Sequence, residues 1–248
     1  MSMKYCGYVL KVSPRAGSGF MERHNKIVKF MKAEGMTALG NDKYGTEDRE
    51  KSLAVCKSLE QEDWFKDNGL SFVWTNNTIK NTGGYTIKIH PSKGHKNTEL
   101  MFELMKFMEK SGAVALTGFD YRTETHDSLR KICGLLEKQD GYKSGQYVYS
   151  FVNNTAKNYK GYIIKLSPVK SSYDPKFMRK LRDFMEKSGL ETLGSFKFGT
   201  NDLAIGWDAH ILLGDQDWFS ANKCSYEWIN RSGKEVIIDP KTGKPREA

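Results

Sequence analysis

Apolar residues alternate with polar ones along Gly7-Tyr8-Val9-Leu10-Lys11-Val12-Ser13-Pro14, the two-residue period of a strand. The same pattern returns as Gly84-Tyr85-Thr86-Ile87-Lys88-Ile89-His90-Pro91, and again as Gly161-Tyr162-Ile163-Ile164-Lys165-Leu166-Ser167-Pro168. Each return is 77 residues after the last. After the first strand the period lengthens. His24, Ile27, Val28 and Met31 give the spacing of one buried helical stripe, predicting a helix over Phe20 to Glu34 that Gly35 ends. Met36 to Leu39 reads as a short second strand and Gly40 to Gly45 as a turn. Thr46 is placed to cap a second helix whose inner face is Leu53, Cys56 and Leu59. Leu70 to Thr75 reads as a third strand.

The other two copies follow the same plan. Phe107-Met108 with Gly112, and Phe184-Met185 with Gly189, match the end of the first helix. Thr123 and Thr200 match the cap of the second. Asp174-Pro175 is a strong helix start in the third copy, and Gly206 and Trp207 are expected to interrupt that copy's second helix. The pattern therefore predicts an α/β chain of three tandem βαβαβ repeats: 1–83, 84–160 and 161–238, with 239–248 as a disordered tail. Helices would cover one face of the sheets. The last strand of one copy would form a hairpin with the first strand of the next, giving a ferredoxin-like strand order across the junctions. That order resembles RNA-recognition folds, although their aromatic signature is absent here.

The three copies act as internal replicates of each position. One face of the first strand carries Leu10/Ile87/Ile164 and Val12/Ile89/Leu166, and the other carries Lys11/Lys88/Lys165. Third-strand aromatics Phe72/Tyr149/Tyr226 and Trp74/Phe151/Trp228 share a face. They make either a base-stacking platform or the partner surface of the helices, and the helices' apolar stripes favour the second. The lysine-bearing face is then the open one.

Composition adds a mild bias toward anionic partners. Net charge is +9, distributed as +2, +4 and +1 over the copies and +1 in each tail. No apolar run is long enough for a membrane span, and no apolar leader precedes the first strand, so a soluble cytoplasmic protein is expected. Four cysteines lack metal-ligand spacing, and Cys56 and Cys133, one repeat apart, are expected to be buried thiols.

No motif for a nucleotide phosphate, dinucleotide, catalytic serine or zinc helix occurs, and no cofactor is implied. Asn76-Asn77-Thr78, Asn153-Asn154-Thr155 and Asn230-Arg231-Ser232 fit the glycosylation pattern, but turn formation is the expected role of their asparagines. None of the five histidines recurs in all three copies; His126 and His210 are the ones to inspect for an active site.

The expected function is non-catalytic binding. Nucleic acid is the first choice of partner, held by Lys11, Lys88 and Lys165 with the loop lysines Lys93, Lys96 and Lys170. A protein-interaction module, an inhibitor or adaptor presenting a broad repeat surface, is the second. An enzyme or a small-nucleotide sequestering protein comes third.

Overall fold

The computed structural model describes residues 5–13, 20–79, 83–93, 98–167, 174–221, 224–239 and 242–247. Its elements run in three similar series. The first is β1 (Tyr8–Ser13), α1 (Phe20–Ala33), β2 (Thr37–Gly40), β3 (Lys43–Thr46), α2 (Arg49–Gln61), α3 (Asp63–Asp67) and β4 (Ser71–Asn76). The second is β5 (Tyr85–Pro91), α4 (Thr98–Lys110), β6 (Val114–Ala115), β7 (Asp120–Thr123), α5 (His126–Leu136), α6 (Asp140–Lys143) and β8 (Tyr147–Asn153). The third is β9 (Tyr162–Ser167), α7 (Pro175–Lys187), β10 (Glu191–Gly194), β11 (Lys197–Thr200), α8 (Leu203–Gly214), α9 (Asp217–Ser220) and β12 (Ser225–Asn230). A short hairpin, β13 (Val236–Ile238) and β14 (Pro245–Glu247), follows.

Each series contains one strand more than the expected βαβαβ. The stretch read as a turn, Gly40 to Gly45, is a tight hairpin in which Asn41 and Asp42 take φ of 52° and 57° and Lys43 begins β3. Positive φ at both central residues is the geometry a two-residue hairpin needs, and Asn and Asp tolerate it. Thr46, Thr123 and Thr200 therefore end strands. The caps sit two residues later, where Asp48, Thr125 and Asp202 accept backbone N–H groups of α2, α5 and α8. The α8 helix is continuous through Gly206 and Trp207. A Cβ on Gly206 would lie 2.8 Å from the Trp228 ring, so the glycine serves close packing and not a break.

The ferredoxin-like order lies inside each series and not across the junctions. The first sheet runs β2-β3-β1-β4, and the corresponding strands of the other two series keep that order within one eight-stranded sheet, β12-β9-β11-β10-β8-β5-β7-β6. All ladders are antiparallel. Among the described residues the expected hairpin across a junction is absent, because β4 and β5 have no ladder between them and neither do β8 and β9. Each first strand sits centrally, and its two edges are taken by strands of its own series. The tail also differs from expectation, since Pro245–Glu247 pairs with Val236–Ile238.

Successive series join through the outer edge of the last strand. Thr75 bridges Thr117, and 77 residues later Val152 pairs with Gly194. Asn76 donates its Nδ2 to the Ala115 carbonyl at 3.0 Å, and Asn153 donates its Nδ2 to the Thr192 carbonyl at 3.4 Å. The same asparagines hold their own turns, their Oδ1 atoms accepting from Thr78 and Thr155. That is the turn role expected of the Asn-x-Ser/Thr motif, with a second role as a bolt between series.

The helices pack on the face of Leu10, Ile87 and Ile164, all fully buried. Trp74 and Phe151 lie in the same core, 1% and 6% exposed, so the third-strand aromatics pack against helices and form no stacking platform. One core cluster spans the first two series and a second belongs to the third. Cys56 and Cys133 are buried, and burial raises both thiols, Cys133 to about 11. Among the described residues, no helix is long and apolar enough to cross a membrane.

Candidate functional site

Registers across the ladders place Lys11, Lys88 and Lys165 on one face, opposite the helices. Lys11 faces Lys43 on one side and Val73 on the other. Lys88 lies between Asp120 and Ser150, and Lys165 between Lys197 and Glu227. Ser150 and Val152 share a face, and Val152 pairs with Gly194, which pairs with Lys197. Lys88 and Lys165 therefore point the same way, and the Thr75–Thr117 bridge carries the alignment back to Lys11. Neighbouring strands are about 4.8 Å apart, so the three lysines recur about every 19 Å across the array.

Five lysines thus form a stepped row across the strands: Lys43, Lys11, Lys88, Lys197 and Lys165, with Lys197 and Lys165 level with Val152 and Thr86 and so two residues along from Lys88. Asp120 and Glu227 interrupt it, and Lys165 Nζ lies 3.4 Å from Glu227 Oε2. Twice a lysine stands directly opposite a lysine, as Lys11 with Lys43 and Lys165 with Lys197. Like charges opposed in register destabilise a sheet. Lys43 and Lys197 were not among the expected site residues. The signal was present, since they sit two periods apart, each one period from Asp120. Lys43 lies within the stretch whose pattern predicts a turn, Gly40 to Gly45, and the strands that Lys43 and Lys197 open are visible only in the fold.

The other predicted residues are placed less favourably. Lys93 is exposed in the turn after β5, beyond the end of the row. Lys96 and Lys170 lie outside the described residues. The face is also not polar along its whole length. Val9, Thr86 and Ile163, one step before each lysine, are 7%, 4% and 4% exposed. Tyrosine rings roof part of this end. A Cβ on Gly45 would stand 2.6 Å from the Tyr5 ring, and one on Gly199 would stand 2.7 Å from Tyr159. In the second series Arg122 holds the position of those glycines, with its Nη2 3.1 Å from Glu124.

Where the second and third series meet, the lysine face folds into a cleft of about 440 Å³. Val152, Ile163, Leu193 and Ile229 supply apolar walls, and Ser150, Lys197 and Arg231 supply polar groups. The mixture suits an anion with an apolar portion.

The two singled-out histidines are not among the residues that line this cleft, and they differ from each other in role. His126 opens α5 with its Nε2 3.4 Å from Glu186 Oε1 and its ring beside Tyr85, at a junction between series. His210 stacks on Trp207 and meets the edges of Tyr226 and Trp228, and burial lowers its pKa. Among the described residues, no cluster of His, Cys, Asp and Glu could hold a metal ion.

No family model matches the chain, and no curated protein does. Among solved structures, the chain is similar to a protein provisionally assigned as a glycine cleavage system transcriptional repressor, over 59% of this chain and 96% of that one. The identity is 11% and the TM-score 0.26.

Proposed function

We propose that the protein is a non-catalytic binder of nucleic acid, held by its phosphate backbone across the helix-free face. The observation that carries this reading is the opposed lysine pairs, Lys11 with Lys43 and Lys165 with Lys197. The fold gains nothing from them, and a bound polyanion relieves their repulsion while releasing its own counterions. The row of five lysines supplies positioning contacts. The aromatics that would stack on bases are in the core, so binding is largely independent of sequence.

Mobility-shift titration over a salt series tests this. The wild type is expected to bind at low salt, with log affinity falling linearly in log salt. Replacing Lys11, Lys88 and Lys165 together by Gln is expected to flatten that slope by roughly 0.7–0.9 per lost contact. Absence of binding at low salt ends the proposal. A protein partner is the second reading, favoured by Val73, which stands 50% exposed beside Lys11 on the same face. Recovery of one stoichiometric protein, persisting after nuclease treatment and lost with Val73→Asp, would favour it.

A further inference from the structure

Inside the chain, the second long helix of one series docks on the first helix of the next, and it does so twice. Arg49 on α2 reaches Glu109 on α4 at 2.5 Å, and Lys57 lies 4.7 Å above the Phe102 ring. One period later, His126 on α5 meets Glu186 on α7, Arg130 meets Asp183 and Glu186 at 3.2 Å, and Glu137 accepts from Arg179. Among the described residues, no helix takes the corresponding place on α8 or on α1.

At both ends apolar residues at the docking positions remain exposed, although β14 packs along part of α8. On α8 they fall at Trp207, half-buried against His210 and Trp228, and at Ile211 and the adjoining Leu212, which stand 46% and 49% exposed. The α8 helix is apolar nearly all round, a composition expected of a buried helix and not of one on a surface. On α1 the matching positions are Met21 and Val28, 65% and 39% exposed. Their counterparts in α4, Thr98 and Met105, are 6% and 2% exposed. Charge is complementary as well. Residues 202–217 carry Asp202, Asp208, Asp215 and Asp217 with no lysine or arginine, whereas α1 carries Arg23, Lys26, Lys29 and Lys32 against one Glu22.

We propose that a second copy of this chain docks its α1 on α8, repeating between molecules the helix contact that joins series within one. The terminal hairpin shapes this contact. Asn230, the third copy of the junction asparagine, donates its Nδ2 to Lys234 in place of a following series, and Tyr162 donates to Glu247 on β14. The strand half of the joint is thus occupied from within the chain, β14 also packs on α8, and the exposed Ile211 and Leu212 are left for the second molecule. The contact joins two different surfaces, so it does not close on itself in a dimer and each copy added leaves another end open.

Sedimentation velocity of the full chain, from micromolar to millimolar concentration, reads this directly. Mass is expected to rise with concentration and to fall back at high salt. Ile211→Asp and Val28→Asp, both at exposed positions that folding tolerates, are each expected to leave a monomer with unchanged circular dichroism. An equimolar mixture of the two variants is expected to form a dimer and stop there, since only one good α8 and one good α1 remain to meet. A wild type that stays monomeric throughout overturns the proposal and leaves α8 to a different partner. Association that survives Val28→Asp but not Ile211→Asp overturns it in favour of a symmetric α8–α8 contact, and association that survives both places the interface elsewhere.

Discussion

The two joints within the chain share one geometry and differ in what fills it. At the first, α4 presents Met101, Leu104 and Met105 to a core that runs without a break from the first series into the second. Gly118 stands where a Cβ would lie 2.5 Å from the Met101 sulfur, so thioether packing reaches the edge of the joint. At the second, Arg182 holds the position of Met105 and Ser195 that of Gly118. Ser195 Oγ accepts the Phe151 N–H at 2.7 Å, Glu137 accepts from Tyr149 at 2.7 Å and also from Arg179, and the core stops. A groove of about 470 Å³ lined by Arg130, Glu137, Arg179 and Asp183 runs between the helices there. One repeated contact can thus be dry and merged or polar and separable, depending on a few side chains. The third series should therefore open more readily than the first two, which share a core.

Exchanging the character of the joints gives the largest effects. Met105→Arg, which copies the second joint into the first, is expected to destabilise the protein by about 3–5 kcal/mol, because a charge enters a core with no partner for it. Denaturant unfolding followed by near-ultraviolet circular dichroism measures it, and a loss below 1 kcal/mol would mean the first joint is not dry. The reverse change, Arg182→Met, is expected to be neutral or stabilising. Glu137→Ala removes the acceptor of Tyr149 and Arg179 and is expected to cost on the order of 2–3 kcal/mol. Its loss should appear as faster hydrogen exchange in β9 to β12 with little change in β1 to β4.

Smaller effects follow from titration and salt. Burial raises the Cys133 thiol from 9.0 to about 11, so the folded state holds that proton more tightly than the unfolded state. The associated stability is complete below about pH 9 and is lost as pH rises toward 11, an effect of roughly 2–3 kcal/mol. The fall with pH should be shallower in Cys133→Ala. His210 works in the opposite sense. Its pKa is lowered by burial, so stability present above its ordinary value of 6.5 declines as pH falls below it, and His210→Phe should reduce that decline. Raising the salt from 0.1 M to 1 M is expected to weaken the second joint by less than about 1 kcal/mol and to leave the first unchanged. An equal response of both joints would erase the distinction between them.

Much of this architecture was legible in the residues. A 77-residue period, a strand repeat in Tyr8 to Ser13 and a helical stripe through Ile27 and Met31 depend on local alternation, and three copies multiply a weak signal. The short β3, β7 and β11 were not legible. Four residues such as Lys43-Tyr44-Gly45-Thr46 carry too little alternation to separate a strand from a turn, and they become strands only through pairing with β1, 35 residues earlier. Lys43 and Lys197 were lost from the candidate site with them. Lys11, Lys88 and Lys165 were legible because each interrupts an otherwise apolar strand.

The sequence by itself determined that the same unit is written three times, and that one side of each first strand is apolar and the other carries a lysine. Only the tertiary structure decided how the units join. Nothing in a period says which strand edges will meet, since backbone amides and carbonyls are the same at every residue and pairing them is a long-range choice. Asn76 and Asn153 looked like turn residues, which they are, and only the approach of Ala115 and Thr192 made them joints as well. Asn230 carries the same motif and bonds instead to the Lys234 carbonyl just after its own strand.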